Sequence, residues 1–146
     1  MVEITEITIR AAAPGDLDEI VAIERLSFAG NFWDAASFES YDCLIAQVSG
    51  KTAGFLVSRE LIGNERGNGE REILNLAVHP DWRRQKVASA LLKQELRRGG
   101  AFFLEVRESN MAARKLYESL GFQIIGRRNQ YYANPEETAI VMKRKE

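Results

Sequence analysis

The sequence predicts a mixed α/β or α+β domain built around one central sheet, and three observations carry that expectation. The second half alternates β-type apolar runs with helical stripes, in the order strand, helix, strand, helix, strand, strand. The first half reads strand, helix, helix, strand, strand. The chain has 146 residues, 45% hydrophobic and 28% charged, as expected for one soluble domain with its own core. No repeat, low-complexity tract or Pro/Ser-rich linker marks a boundary, so residues 1–146 are read as a single domain.

The elements follow in order. Ile4 to Ile9 alternates loosely and reads as a strand. Pro14-Gly15-Asp16 is a break with Asp16 as the expected N-cap, after which Leu17, Ile20, Val21, Ile23 and Leu26 recur at helical spacing. Gly30-Asn31 ends that helix, and Asp34 caps a short second one to Ser40. Leu44 to Val48 and Ala53 to Ser58 form a hairpin about Ser49-Gly50-Lys51. Gly63 to Gly69 is a glycine- and asparagine-rich connection.

Ile73 to Val78 is a strongly apolar strand, stopped by His79-Pro80-Asp81 because proline has no N–H for a ladder. A helix from Arg84 to about Arg98 places Ala88, Leu91, Leu92 and Leu96 on one stripe and ends at Gly99-Gly100. Ala101 to Val106 is a strand in which Glu105 faces away from Leu104 and Val106. Ser109 or Asn110 caps the last helix, whose stripe is Ala113, Leu116, Tyr117 and Leu120, and Gly121 stands at its C′ position. Phe122 to Gly126 and Ala139 to Lys143 are the closing strands.

Composition excludes several function classes. Twenty Lys and Arg against 21 Asp and Glu give a formal charge of −1, which argues against a nucleic-acid partner. Cys43 is the one cysteine, so no disulfide forms within the chain and a cytoplasmic setting is expected. His79 is the one histidine, which leaves no Cys/His set for zinc, and no metal is expected. No apolar run approaches the ~18 residues that span a bilayer, and no secretory signal is read at the N-terminus, so no membrane partner is expected.

Three segments can carry chemistry. At Val78-His79-Pro80-Asp81-Trp82-Arg83-Arg84-Gln85-Lys86-Val87-Ala88 a strand ends, a basic turn follows and a helix begins. Helix N-termini favour anions, and from Arg83 to Arg98 six basic side chains face Glu95 alone, so a phosphorylated ligand suits this end; a solvated basic face is the competing reading. Glu105 is an acid in an apolar strand, either paired with a base such as Arg107 on the same face or held for proton transfer. Tyr117 lies on the apolar stripe of its helix, where its hydroxyl needs a polar partner.

Taken together, Leu76-Ala77-Val78, His79-Pro80-Asp81-Trp82, Arg83-Arg84-Gln85-Lys86-Val87-Ala88, Glu105-Val106-Arg107-Glu108-Ser109-Asn110 and Leu116-Tyr117-Glu118-Ser119-Leu120-Gly121-Phe122 resemble the GNAT superfamily of acyl-CoA-dependent N-acetyltransferases. Within it they resemble the RimI-type group, which acetylates the N-terminal alanine of a ribosomal protein. Arg127-Arg128-Asn129-Gln130-Tyr131-Tyr132 resembles that group's Arg-Arg-Asn-Tyr-Tyr stretch, and Ser27-Phe28 and Trp33 also fit. The resemblance covers nearly the whole chain.

It implies a mostly antiparallel twisted sheet with two splayed parallel strands and about four flanking helices. It implies acetyl-CoA as cosubstrate, held by backbone groups of Leu76, Ala77 and Val78, by the loop Arg83, Arg84, Gln85, Lys86, Val87 and Ala88 around the pyrophosphate, and by Asn110 along the pantetheine. Glu105 would be the general base and Tyr117 the general acid that meets the departing thiolate. The acceptor would be a protein or peptide N-terminus, and the protein a monomer or weak dimer. A small amine or a lysine side chain is the alternative acceptor, and a degenerate CoA-binding or interaction module the alternative role.

The chemistry agrees with these residue types. An α-amine with a pKa near ~8 needs one proton removed before attack, and a carboxylate can take it. Cys43 lies outside every matched segment and reads as a small core residue. One departure concerns the loop, where Lys86 replaces an expected glycine; a positive φ there would cost on the order of 1–3 kcal/mol. Residues 1–42 also carry nine acids against Arg10 and Arg25, and an acidic lip of this kind would attract a cationic acceptor.

Overall fold

Strand pairing orders this molecule. The computed structural model describes residues 6–27, 33–62, 69–83, 86–133 and 135–145. The expected strand start at Ile4, Phe28, the Gly30-Asn31 break, the connection from Gly63 to residue 68, and Arg84 and Gln85 lie outside the described residues. Seven strands form one sheet: β1 (Ile7–Ala11), β2 (Asp42–Val48), β3 (Lys51–Ile62), β4 (Glu70–Val78), β5 (Ala101–Arg107), β6 (Gln123–Tyr132) and β7 (Glu137–Arg144). Hydrogen-bonded neighbours run β1-β2-β3-β4-β5-β7-β6. Four helices accompany them: α1 (Leu17–Ser27), α2 (Ala35–Glu39), α3 (Val87–Leu96) and α4 (Met111–Ser119).

The chain divides into two compact units, residues 1–58 with 75–95, and residues 59–74 with 96–146. In the first unit β1, β2 and β3 pair antiparallel. The hairpin turn is Ser49-Gly50, both at positive φ (52° and 77°), the conformation whose twist matches flanking strands. Ala53, Phe55, Leu56 and Val57 are all buried, so β3 is covered on both faces, which explains its unbroken apolar run. Ile20 and Ile23 of α1, Phe38 of α2, and Leu91 and Leu92 of α3 complete this core, with Phe38 edge-on to Phe55 at 5.3 Å.

In the second unit β4 and β5 are parallel, paired from Glu70↔Ala101 to Ile73↔Leu104. A parallel pair of strands is what the family resemblance implies. From Phe102 to Arg107, β5 pairs antiparallel with β7, and β7 with β6. Phe102, Leu104, Val106, Tyr117, Phe122, Ile140 and Met142 form its core.

The ends of the elements differ from expectation in three places. Asp16 does not cap α1. It lies in a 3₁₀ turn at Pro14–Asp16, where its carboxylate accepts the Ala13 N–H (2.7 Å) and pairs with Arg10 (2.9 Å). The helix of the basic segment starts at Val87 rather than Arg84, because a 3₁₀ turn at Pro80–Trp82 comes first. Its cap is the His79 imidazole, whose Nδ1 accepts the Asp81 N–H (3.1 Å). The strands β2, β3, β4, β6 and β7 outrun their apolar runs, since ladder partners continue through polar residues. Asp34 caps α2 through the Ser37 N–H (2.9 Å) as expected. Asn110 rather than Ser109 caps α4, accepting the Ala113 N–H (3.2 Å). Helix α4 closes at Gly121 (φ 96°) with Phe122 N–H donating to Tyr117 and Gly121 N–H to Glu118, a Schellman arrangement.

Candidate functional site

In the first unit the expected anion loop keeps a specific backbone. Lys86 has φ 66°, so it adopts the left-handed conformation that glycine takes without strain, at a cost of about 1 kcal/mol. The Lys86 carbonyl accepts the Ala90 N–H (3.0 Å) and opens α3, whose first N–H groups have no partner within the helix. The Arg83 Nε donates to the Val78 carbonyl (3.2 Å), which fastens the basic turn to the end of β4. Gly54 of β3 lies against this strand end. A Cβ there would meet the Ala77 carbonyl oxygen at 2.7 Å and Val87 at 3.2 Å, so only glycine permits this spacing of β3, β4 and α3. Leu76 and Val78 are half-buried and Ala77 is buried. A positive loop at a helix N-terminus next to a strand end has the donor set that a pyrophosphate requires.

The acids of residues 1–42 are less free than their count implies. Asp16 is paired with Arg10 and Asp34 is the α2 cap, which holds both carboxyls below the usual carboxylate range. Glu24 is buried, accepting the Asn75 Nδ2–H (2.7 Å) and the Trp33 N–H (3.3 Å).

The second unit assembles the acid and the phenol. Glu105 is half-buried on β5 between the buried Leu104 and Val106. Its partner is not Arg107. Arg107 reaches the other way, to the Pro135 carbonyl (2.8 Å), the Ala133 carbonyl (3.1 Å) and Glu137 (3.4 Å), while Glu137 accepts the Ser109 N–H (2.6 Å). The base beside Glu105 is Arg128 of β6, Nη1 to Oε1 at 3.3 Å. Strand β7 lies between β5 and β6, so it is the length of the Arg128 side chain that carries its guanidinium to the carboxylate.

Tyr117 is 8% exposed on α4 and packs edge-on against Phe122 at 5.8 Å. Burial pushes its phenol up to about 12. Tyr132 lies under the Arg107 guanidinium (4.5 Å to the ring centre). Its phenol is raised by burial first and then by the Glu105 charge. Tyr131 is raised chiefly by the Glu105 charge. Asn110 is exposed, and its cap uses the carboxamide oxygen only. Cys43 is half-buried and burial pushes its thiol up to about 12, which makes it a packing residue and not a nucleophile.

Sequence reasoning assigned no role to Arg128, Tyr131, Tyr132, Glu24 or Asn75. The signal for the first three was their place in the Arg127–Tyr132 stretch; for Glu24 it was a carboxylate one residue past Ile23 of the apolar stripe. Among the described residues no group of three or more His, Cys, Asp or Glu could hold a metal ion, and no helix is long and apolar enough to cross a membrane.

Comparison with known proteins agrees with this geometry. The model of the acetyltransferase (GNAT) family matches residues 9–122. The [ribosomal protein bS18]-alanine N-acetyltransferase of Escherichia coli K12 is 40% identical over 101 residues, covering 64% of this chain and 64% of that protein. An uncharacterised Mycobacterium leprae protein is 36% identical over 149 residues, covering 94% of this chain but 40% of its own length. The chain thus spans less than two thirds of these two relatives. The crystal structure of the Escherichia coli ribosomal-protein-S18-alanine N-acetyltransferase superposes with a TM-score of 0.84 at 33% identity, covering 96% of this chain and 94% of that one.

Proposed function

The chain belongs to the acetyltransferase (GNAT) family, and from that premise we propose that it transfers the acetyl group of acetyl-CoA to the N-terminal amine of a protein, a ribosomal protein with N-terminal alanine first among them. The observation that carries this reading is that a half-buried Glu105 carboxylate on β5 and a buried Tyr117 phenol on α4 stand in the same unit of a chain of this family.

Acetyl-CoA supplies an activated acyl carbon and a thiolate leaving group. Leu76, Ala77 and Val78, with Arg83, Lys86, Val87 and Ala88, offer the backbone groups and positive charge that suit it; by resemblance Arg84, Gln85 and Asn110 join them. Glu105 takes one proton from the acceptor ammonium, directly or through water, which leaves a lone pair free to form the new N–C bond. Tyr117 keeps its proton to high pH and donates it to the sulfur as the C–S bond breaks, and the second proton of the former ammonium leaves the new amide nitrogen to restore the phenol. No covalent enzyme intermediate is needed, and the inert Cys43 thiol is consistent with direct transfer. The family resemblance and the E. coli relatives support an N-terminal acceptor over a small amine or a lysine side chain.

The test has two stages. Calorimetric titration of acetyl-CoA is expected to give micromolar binding, since Lys86 takes a positive φ. Acetylation assays are then expected to favour peptides with N-terminal alanine over the same peptides with a blocked N-terminus and a free lysine. Absent binding would turn the reading to a degenerate module, and equal rates on lysine would replace the acceptor.

A further inference from the structure

Arg128 and Tyr131 stand three residues apart on β6, and in an unbroken strand residues an odd number apart face opposite sides of the sheet. Here the two side chains meet. Arg128 Nη1 is 3.3 Å from Glu105 Oε1, and the Glu105 charge raises the Tyr131 phenol. The Arg128 guanidinium also lies over the Tyr131 ring, 5.2 Å from its centre. Tyr131 and Tyr132 are consecutive, yet their rings touch edge-on at 5.1 Å, which a regular strand forbids.

A bulge resolves the parity. The β6–β7 register runs Arg127↔Ile140, Arg128↔Ala139, then resumes at Tyr132↔Glu137. Asn129, Gln130 and Tyr131 therefore stand opposite Thr138 alone. Gln130 makes the turn, at φ 54°, a left-handed conformation that costs a non-glycine residue free energy. It is also the residue by which Arg127-Arg128-Asn129-Gln130-Tyr131-Tyr132 exceeds the Arg-Arg-Asn-Tyr-Tyr pattern it resembles. Bulges re-aim side chains, and backbone strain of this kind persists where the surroundings enforce it.

We propose that the Asn129–Tyr131 bulge is a positioning device for the reacting carboxylate: it sets the Tyr131 ring against the Arg128 guanidinium, and the guanidinium so braced holds Glu105 in one orientation toward the acceptor amine. This rests on Glu105 being the general base. Other groups acting here are Tyr132 of β6 with Arg107 above it, Tyr117 of α4, and Glu72 of β4, whose charge acts on the Tyr131 hydroxyl. The β7 neighbour of Glu105 is the uncharged Val141. Arg128 is thus the cation in contact with the carboxylate among the described residues.

The experiment compares Arg128→Gln, Tyr131→Phe, Gln130→Gly, a deletion of Gln130 and Glu105→Gln, each measured for kcat, for KM of the acceptor peptide and for acetyl-CoA affinity. Arg128→Gln and Tyr131→Phe are expected to lower kcat about tenfold with acetyl-CoA affinity unchanged. Both are expected to leave the KM of the acceptor peptide near wild type, so that the loss falls on kcat. Gln130→Gly keeps the bulge and is expected to retain wild-type activity. The deletion removes the left-handed residue, cuts the insertion opposite Thr138 from two extra residues to one, re-aims Tyr131 and is expected to match or exceed the Tyr131→Phe loss. Unchanged kcat in both point variants, with Glu105→Gln inactive, would overturn the positioning proposal alone. An active Glu105→Gln would overturn the general-base reading beneath it.

Discussion

Glu24 and Glu105 are two glutamates of similar local sequence, each following an apolar residue that is buried, and the fold uses them in opposite ways. Glu24 is 2% exposed and meets neutral donors, the Asn75 amide and the Trp33 N–H. Both its oxygens are engaged by groups that belong to the frame of their unit. Glu105 is half-buried, and the base that reaches it comes from a bulged edge strand, Arg128 with an exposed side chain. A carboxylate enclosed by fixed donors serves the structure, because removing it leaves buried donors unmatched. A carboxylate with solvent-facing partners is available to a proton in transit. The lesson is that burial alone does not mark a functional acid; the nature and freedom of its partners do.

This contrast can be broken in activity and in stability. The largest effect is expected from Glu105→Gln, a loss of about 10²–10⁴ in acetyl transfer with melting temperature and acetyl-CoA affinity near wild type. Steady-state assays beside thermal melts check it, and a melting loss instead would make Glu105 another framework acid. Next is Glu24→Ala, expected to cost on the order of 2–4 kcal/mol of stability by stranding the Asn75 and Trp33 donors, as read from denaturant unfolding. If this variant unfolds like wild type but transfers acetyl slowly, the two roles must be exchanged. Lys86→Gly is expected to stabilise by roughly 0.5–1 kcal/mol, since glycine accepts φ 66° without strain. Titration of that variant with acetyl-CoA then separates the backbone contribution of the loop from that of the ammonium.

The smallest effect is the pH dependence of folding. Asp16, Asp34 and Glu137 are held below their ordinary range, by Arg10 and the Ala13 N–H, by Ser37, and by Ser109 with Arg107. Depressed values mean that the unfolded chain binds more protons at acid pH, so their contribution is full above the unfolded carboxyl range and fades as pH falls through the folded values. Thermal melts between neutral pH and about pH 3 should show that decline. Asp34→Asn should flatten its own share while retaining a cap, because asparagine also accepts from the first turn.

Much of this was legible in the residues. Periodicity placed every helix and strand of the described chain, and short-range chemistry fixed their ends: Asp34 and Asn110 as caps, Gly121 as C′, Ser49-Gly50 as a hairpin turn. These features depend on neighbours a few positions away, so the sequence displays them directly. Glu105 and Tyr117 could be singled out because an acid in an apolar strand and a phenol on an apolar stripe conflict with their surroundings.

The partners of those residues were decided elsewhere. Arg107 looked like the mate of Glu105 because it lies two residues along; sheet order instead brings Arg128 from a strand more than 20 residues away in sequence and gives Arg107 to Glu137. Asp16 looked like a helix cap until Arg10 and Ala13 claimed its oxygens. The sequence by itself determined the element pattern and the Asp34 cap, since local sterics and amphipathic period suffice for them. Tertiary structure alone decided which charge meets which, that Lys86 takes a positive φ, and that a bulge at Gln130 sets the Tyr131 ring against Arg128. Register and strand order are long-range outcomes of packing, and a one-residue shift in a ladder reverses the face of every side chain that follows.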